Sequence, residues 1–272
     1  MVLAQPGRLI RVTDLGPVRA FLDARPLENL KLRGFLEQAP PDYEAIWVDD
    51  PRSPQAVVIR GNEWYNVAVA DGSAARQVFI SLEPSEDGLK FAGLPRGLVN
   101  VLEESHDVIR ENLCYLYYLR PERFRPQLRH PVQSLRLDDA PRVAELWGRP
   151  ERVDYCRGRI LNGPTCAIYE RKELVAFVVT HADGAIGMLH TREARRREGL
   201  GRSVTTALVQ ELLARGRLTY CFIVQANIPS IRLFEGLGFE RVGEVSWVLA
   251  RPHRAGAAVL PEVVTNACCD AE

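Results

Sequence analysis

The sequence has no excess charge of either sign. Its 35 Lys and Arg are matched by 35 Asp and Glu, so formal net charge is zero. A general nucleic-acid binder replaces phosphate counterions with a basic excess, so the balance gives that class no support, and no nucleic-acid partner is expected. A long hydrophobic run is also missing. No stretch approaches the ~18 apolar residues of a membrane span, and no membrane partner is expected. The segment from Met1 to Pro26 has no continuous apolar core and carries Asp14 and Asp23. It does not read as a secretory signal. A cytoplasmic location is expected, with the mitochondrion as the alternative. The six cysteines, Cys114, Cys156, Cys166, Cys221, Cys268 and Cys269, include no C-x-x-C pair. They read as buried reduced thiols, and no metal site is expected.

What is present is a globular composition, 46% hydrophobic and 26% charged, over 272 residues. That length accommodates one large domain or two ordinary ones. Residues 1–125 read as an N-terminal α/β domain. An apolar helical pattern over 18–36 is interrupted at Pro26. Short β-type runs follow at 45–48, 56–59, 67–70 and 78–80, then a helix over 98–109 and a strand over 113–119. This half has no glycine-rich phosphate loop and no cluster that suggests catalysis. Residues 126–132, within a Pro- and Arg-rich stretch, read as the linker. Residues 133–254 read as the second domain, and 255–272 as a loosely packed tail.

The second domain begins with a short strand expected at 135–137. A helix over 141–147 follows, with Asp138 or Asp139 as its cap, and then a helical piece over 151–161. Strands at 166–169, 174–180 and 186–191 are joined by hairpin-length turns, one carrying Asp183-Gly184, so they are expected antiparallel. The helix 200–215 has Leu200, Val204, Leu208 and Leu212 on one stripe and Gly216 at its end. Such a crossover makes the next strand, 219–225, parallel to 186–191. A helix with Pro229 in its first turn and Gly238 at its end precedes the last strand, 242–249.

The organising stretch runs from Met188 to Ser203. A strand ends in Leu189-His190-Thr191, a basic turn holds Arg195-Arg196-Arg197, and Gly199 and Gly201 open the long helix. Amide N–H groups at a helix start lack intrahelical partners and carry the positive end of the helix dipole. Glycines let an anion approach them closely. The spacing therefore predicts a phosphate-bearing ligand at that helix start.

Arg196-Arg197-Glu198-Gly199-Leu200-Gly201 resembles the R/Q-x-x-G-x-G/A pyrophosphate loop of the GNAT acyltransferase superfamily. Asn227-x-x-Ser230-x-x-x-Phe234-x-x-Leu237-Gly238-Phe239 resembles its second block. Within that superfamily, the run from Val175 to Thr180, the Asp183-Gly184 turn and the strand ending at Thr191 are similar to the glycine N-acyltransferase-like branch. The resemblance implies an α+β (mixed α/β) GNAT fold, a central, mostly antiparallel sheet flanked by helices, preceded by a second GNAT-like α/β domain. It implies acetyl-CoA or a longer acyl-CoA as co-substrate. It places the cofactor against Leu189, His190, Thr191, Arg196, Arg197, Gly199, Leu200, Gly201, Arg202, Ser203, Asn227, Ser230 and Phe234. Arg195 joins Arg197 and Arg202 as a candidate for the 3′-phosphate.

The implied activity is an N-acyltransferase moving an acyl group to a small amine or amino acid such as glycine. A protein or peptide N-acetyltransferase and a non-catalytic acyl-CoA-binding protein are the competing readings. The amine must lose a proton before it attacks, so a base is required. Phe234 stands where many members carry a Tyr, and Ala185 where the branch can carry a carboxylate. The base is then sought among His190, His181 and Asp183. His190 is favoured for its place at the end of the strand and its near-neutral ordinary pKa.

Overall fold

The computed structural model of the protein describes residues 9–253. In chain order the elements are β1 (Ile10–Arg11), α1 (Gly16–Asp23), α2 (Leu30–Glu37), β2 (Ala45–Val48), β3 (Ala56–Gly61), β4 (Trp64–Val69), α3 (Gly72–Ser81), β5 (Leu89–Pro95), α4 (Arg96–Leu102) and β6 (His106–Tyr118). They continue as α5 (Ala140–Leu146), α6 (Val153–Asn162), β7 (Thr165–Glu170), β8 (Glu173–Thr180), β9 (Ile186–Thr191), α7 (Leu200–Ala214), β10 (Tyr220–Val224), α8 (Ile228–Gly236) and β11 (Glu240–Pro252). Two compact units emerge. The first comprises residues 9–36, 42–114 and 243–253; the second comprises 37–41 and 115–242. Strands β6 and β11 each contribute residues to both.

In the first unit, β2, β3 and β4 form an antiparallel meander, β4 pairs parallel with β5, and β11 pairs antiparallel with β5. Residues 243–253, expected in the second domain, therefore complete the sheet of the first. Val248 and Ala250 pack with Phe79, Phe91 and Leu102 in its core.

Two expectations for this unit are corrected, and one strand is added. Residues 78–80 are not a strand but the end of α3. Asp71 caps that helix by accepting the Ala74 N–H at 2.9 Å. Ala75, Val78 and Phe79 then form its buried face, a helical spacing hidden inside a β-rich composition. The helix expected over 98–109 stops at Leu102, and Val108 and Ile109 belong to β6. Strand β5, unforeseen because Gly93 and Pro95 interrupt its pattern, buries Leu89, Phe91 and Leu94.

The second unit has strand order β6-β10-β9-β8-β7. Strands β7, β8 and β9 are antiparallel neighbours, and β10 runs parallel to β9, as the crossover rule requires. Alternation along the strands builds two cores. Cys166, Ile168, Ala176 and Val178 meet Leu200, Val204, Leu208 and Leu212 of α7 on one face. Ala167, Phe177 and Val179 meet Val143, Ala144 and Cys156 of α5 and α6 on the other.

The strand expected at 135–137 is a single 3₁₀ turn over Leu137–Asp139. The Asp139 carboxylate accepts the Arg136 N–H at 2.8 Å and the Tyr169 hydroxyl, which holds that turn closed. Asp139 occupies the cap position of α5 but makes no side-chain cap bond to it. The tail expected over 255–272 lies outside the described residues.

Segment 126–132, expected as a linker, is bonded through Gln127 and Arg129, and through the preceding Arg125, to α7 and the end of α8. Arg125 N–H donates to the Leu237 carbonyl at 2.9 Å. Gln127 N–H donates to Thr206 Oγ1 and Arg129 N–H to Ser203 Oγ, both at 3.1 Å. Its composition suggested a spacer; buried helix hydroxyls make it a strap.

Candidate functional site

The site begins where β9 leaves β10. The two strands pair with Cys221 opposite Ile186. Against β8, Gly187 lies opposite Val179 and His190 opposite Phe177. Two residues of β9, Met188 and Leu189, thus face the single Val178, which defines a bulge. Met188 adopts φ +50°, a left-handed conformation unusual for its side chain. The bulge re-aims the end of the strand. Leu189 and Thr191 face a cleft at the start of α7, while His190 lies over Phe177 on the opposite face.

The loop into α7 turns at Arg197 (φ +68°) and Gly199 (φ +83°). The first helical bond runs from Ser203 N–H to the Gly199 carbonyl at 3.0 Å. The amides of Leu200, Gly201 and Arg202 therefore precede the hydrogen-bonded ladder. A Cβ on Gly201 would stand 3.2 Å from Thr191 Oγ1 and 3.4 Å from Leu233 Cδ1, a tight fit between the end of β9 and α8. Helix α8 adds a second N-terminus, where Asn227 Oδ1 accepts the Ser230 N–H at 3.1 Å.

Together these elements enclose a cleft of about 670 Å³. Five arginines, Arg129, Arg196, Arg197, Arg202 and Arg232, line it against one carboxylate, Glu198. Two helix starts and that cationic excess make it an anion site, and the glycine floor fits a pyrophosphate. The apolar walls from Leu189, Leu200, Pro229 and Leu233 fit the uncharged part of such a ligand.

Of the residues expected at the cofactor, Leu189, Thr191, Arg196, Arg197, Gly199, Leu200, Gly201, Arg202, Asn227 and Ser230 line this cleft. Three others do not. Ser203 is fully buried and accepts the Arg129 N–H, so its hydroxyl serves the strap. Phe234 is 3% exposed and packs edge-on against Phe239, with ring centroids 5.0 Å apart, so its place is the core. His190 stacks on Phe177 with centroids 5.7 Å apart. Burial, then the nearby Arg196 and Arg142 guanidinium groups, push its pKa below the usual histidine range. Arg195 is held by Glu198 and Glu170 rather than facing the cleft. Gln127, Arg129, Pro229, Arg232 and Leu233 line the cleft without having been singled out in the sequence. Gln127 Oε1 also accepts from Arg202 Nη1 at 2.8 Å.

Ala185 is buried at the start of β9 and leaves no carboxylate there. Burial pushes the Cys221 thiol well above its ordinary pKa, which makes it a poor nucleophile. Among the described residues, no group of three His, Cys, Asp or Glu is gathered to hold a metal ion. No described helix is long and apolar enough to cross a membrane.

Known proteins share this fold. Residues 166–248 match the family model of FR47-like proteins. A Drosophila protein of known structure superposes with a TM-score of 0.72 at 17% identity, covering 90% of this chain and 98% of its own. A GCN5-related N-acetyltransferase from Kribbella flavida superposes at 0.55 with 17% identity, covering 84% and 95%. A tandem GNAT protein from the clavulanic acid biosynthesis pathway superposes at 0.54 with 14% identity, covering 89% and 98%. No curated protein matches the sequence. The protein shares the α+β fold of these N-acetyltransferase structures, with a second α/β unit of the same kind, and the family match is confined to residues 166–248.

Proposed function

We propose that the protein is an acyl-CoA-dependent N-acyltransferase acting on a small amine or amino acid, glycine among them. The observation that carries this reading is the arginine-lined cleft over Gly201, continuous with the open part of β9. Bound acyl-CoA, acetyl or longer, supplies the thioester. The amides of Leu200, Gly201 and Arg202 hold the pyrophosphate, with Arg196 and Arg197 neutralising its charge. The backbone of Leu189 to Thr191 offers its unpaired edge to the pantetheine amides, as a sheet edge receives a strand. An N–H at the Met188–Leu189 bulge donates to the thioester carbonyl oxygen as negative charge develops there. No metal takes part in this scheme.

A thiol-release assay tests this reading. Acetyl-CoA and longer acyl-CoAs are offered against amino acids, arylalkylamines and short peptides. Acceptor-dependent release with a small amine is expected. Release only with peptides would favour a protein acetyltransferase. Tight acyl-CoA binding without release for any acceptor would contradict transfer and leave a binding protein.

A further inference from the structure

On the face of β9 away from α7, an ordered group of side chains surrounds the point where the strand opens. The turn from β8 to β9 is fixed from several directions. His181 N–H donates to the Ala185 carbonyl at 2.8 Å, and Gly184 N–H donates back to the His181 carbonyl at 2.9 Å. Ala185 N–H donates to Asp183 Oδ1 at 3.0 Å. From α6, buried Arg159 donates to the His181 carbonyl at 3.0 Å. From β10, the Tyr220 hydroxyl donates to the Asp183 carbonyl at 2.7 Å.

The His181 side chain is held as firmly as its backbone. Nδ1 lies 3.1 Å from the Tyr155 hydroxyl oxygen, which also accepts the Ala182 N–H at 3.2 Å. Trp147 stacks on Tyr155 with centroids 5.9 Å apart and closes over the imidazole at 6.0 Å. The far end of the ring rests on Gly187. A Cβ there would overlap the imidazole, Nε2 first. Gly187 directly follows Ile186, the residue paired with β10, and directly precedes the bulge. The missing side chain at 187 therefore admits an imidazole nitrogen to the mouth of the splay. It does so from the face opposite the phosphate cleft.

We propose that His181 is the base of the transfer reaction, a reading that rests on the N-acyltransferase function above. With Nδ1–H donated to Tyr155, Nε2 accepts the proton that the acceptor ammonium must lose. The amine nitrogen forms its bond to the thioester carbonyl carbon, and the C–S bond breaks. The sulfur leaves as thiolate and takes up a proton, giving amide and free thiol. The geometry favours His181 over His190, which stacks on Phe177 beside Arg196 and Arg142. The titratable and charged groups around His181 include Tyr155 and Arg159 from α6, Asp183 from its own turn and Tyr220 from β10. Trp147 at the end of α5 adds an uncharged wall.

The test is the pH profile of kcat/KM, measured beside the acyl-CoA Kd. His181→Gln should lower turnover about 10²-fold or more near neutral pH and abolish the acid limb, with Kd within about twofold of wild type. Tyr155→Phe should shift that limb and lower kcat at unchanged KM, which a purely structural tyrosine would not do. Gly187→Ala keeps the imidazole but displaces it. It should lose turnover while binding acyl-CoA, and it reports on the proposal even if the histidine variant does not fold. An acid limb that survives in His181→Gln, or one abolished by His190→Ala instead, overturns this inference and leaves transfer standing. Absence of transfer by the wild-type protein overturns both.

Discussion

At the scale of single residues, the site depends on positions where a side chain is excluded or placed in the core. Gly238 ends α8 at φ +100°, and a Cβ there would overlap the Arg123 carbonyl oxygen. Gly238→Ala should therefore cost at least ~1–3 kcal/mol of stability. Chemical denaturation reads this as a lower midpoint; an unchanged midpoint would contradict the strained turn. Phe234 carries a different lesson. Its place in the sequence motif suggested a ring at the cofactor, yet it is edge-packed on Phe239 in the core. Phe234→Ala should cost about 3–5 kcal/mol. Phe234→Tyr should not raise kcat, because the ring does not reach the cleft; a rise in kcat would restore the sequence-based role.

At the scale of elements, the strap over α7 is the feature whose function is most open to measurement. Ser203 and Thr206 are fully buried and accept the Arg129 and Gln127 amides. Replacing both with Ala leaves two N–H donors without these partners, each a loss of about 1–3 kcal/mol. Because Gln127 and Arg129 line the cleft, acyl-CoA should then dissociate faster, raising Kd several-fold in stopped-flow and equilibrium binding. An unchanged off-rate would make the strap purely structural. These bonds also show where sequence reading ends. Strand β9, Gly199, Gly201 and the start of α7 were legible because their signals are local: an apolar strand, a basic turn, two glycines and a period-3.6 stripe. The strap was not, since its hydroxyl partners lie 79 and 74 residues along the chain. Helix α3 was misread for a related reason. Three adjacent apolar residues suit either period until Asp71 is seen to cap the helix.

At the scale of the whole molecule, two histidines tie stability to pH. Burial is the first cause of the lowered pKa of both His106 and His190. The unfolded chain then binds more protons than the folded one as pH falls below about 6.5, so stability declines on acidification through that range. The urea midpoint should be lower at pH 5 than at pH 7. Replacing both histidines with Gln should flatten that slope, and an unaltered slope would assign it to other groups. The central claim is narrower: the cleft at the start of α7 receives the pyrophosphate of coenzyme A. Titration calorimetry of coenzyme A into the wild-type protein and Gly201→Glu tests it most directly, with circular dichroism confirming that both are folded. Saturable binding that weakens with added salt in wild type and vanishes in the variant is the predicted result. Equal affinity in the two proteins would contradict it.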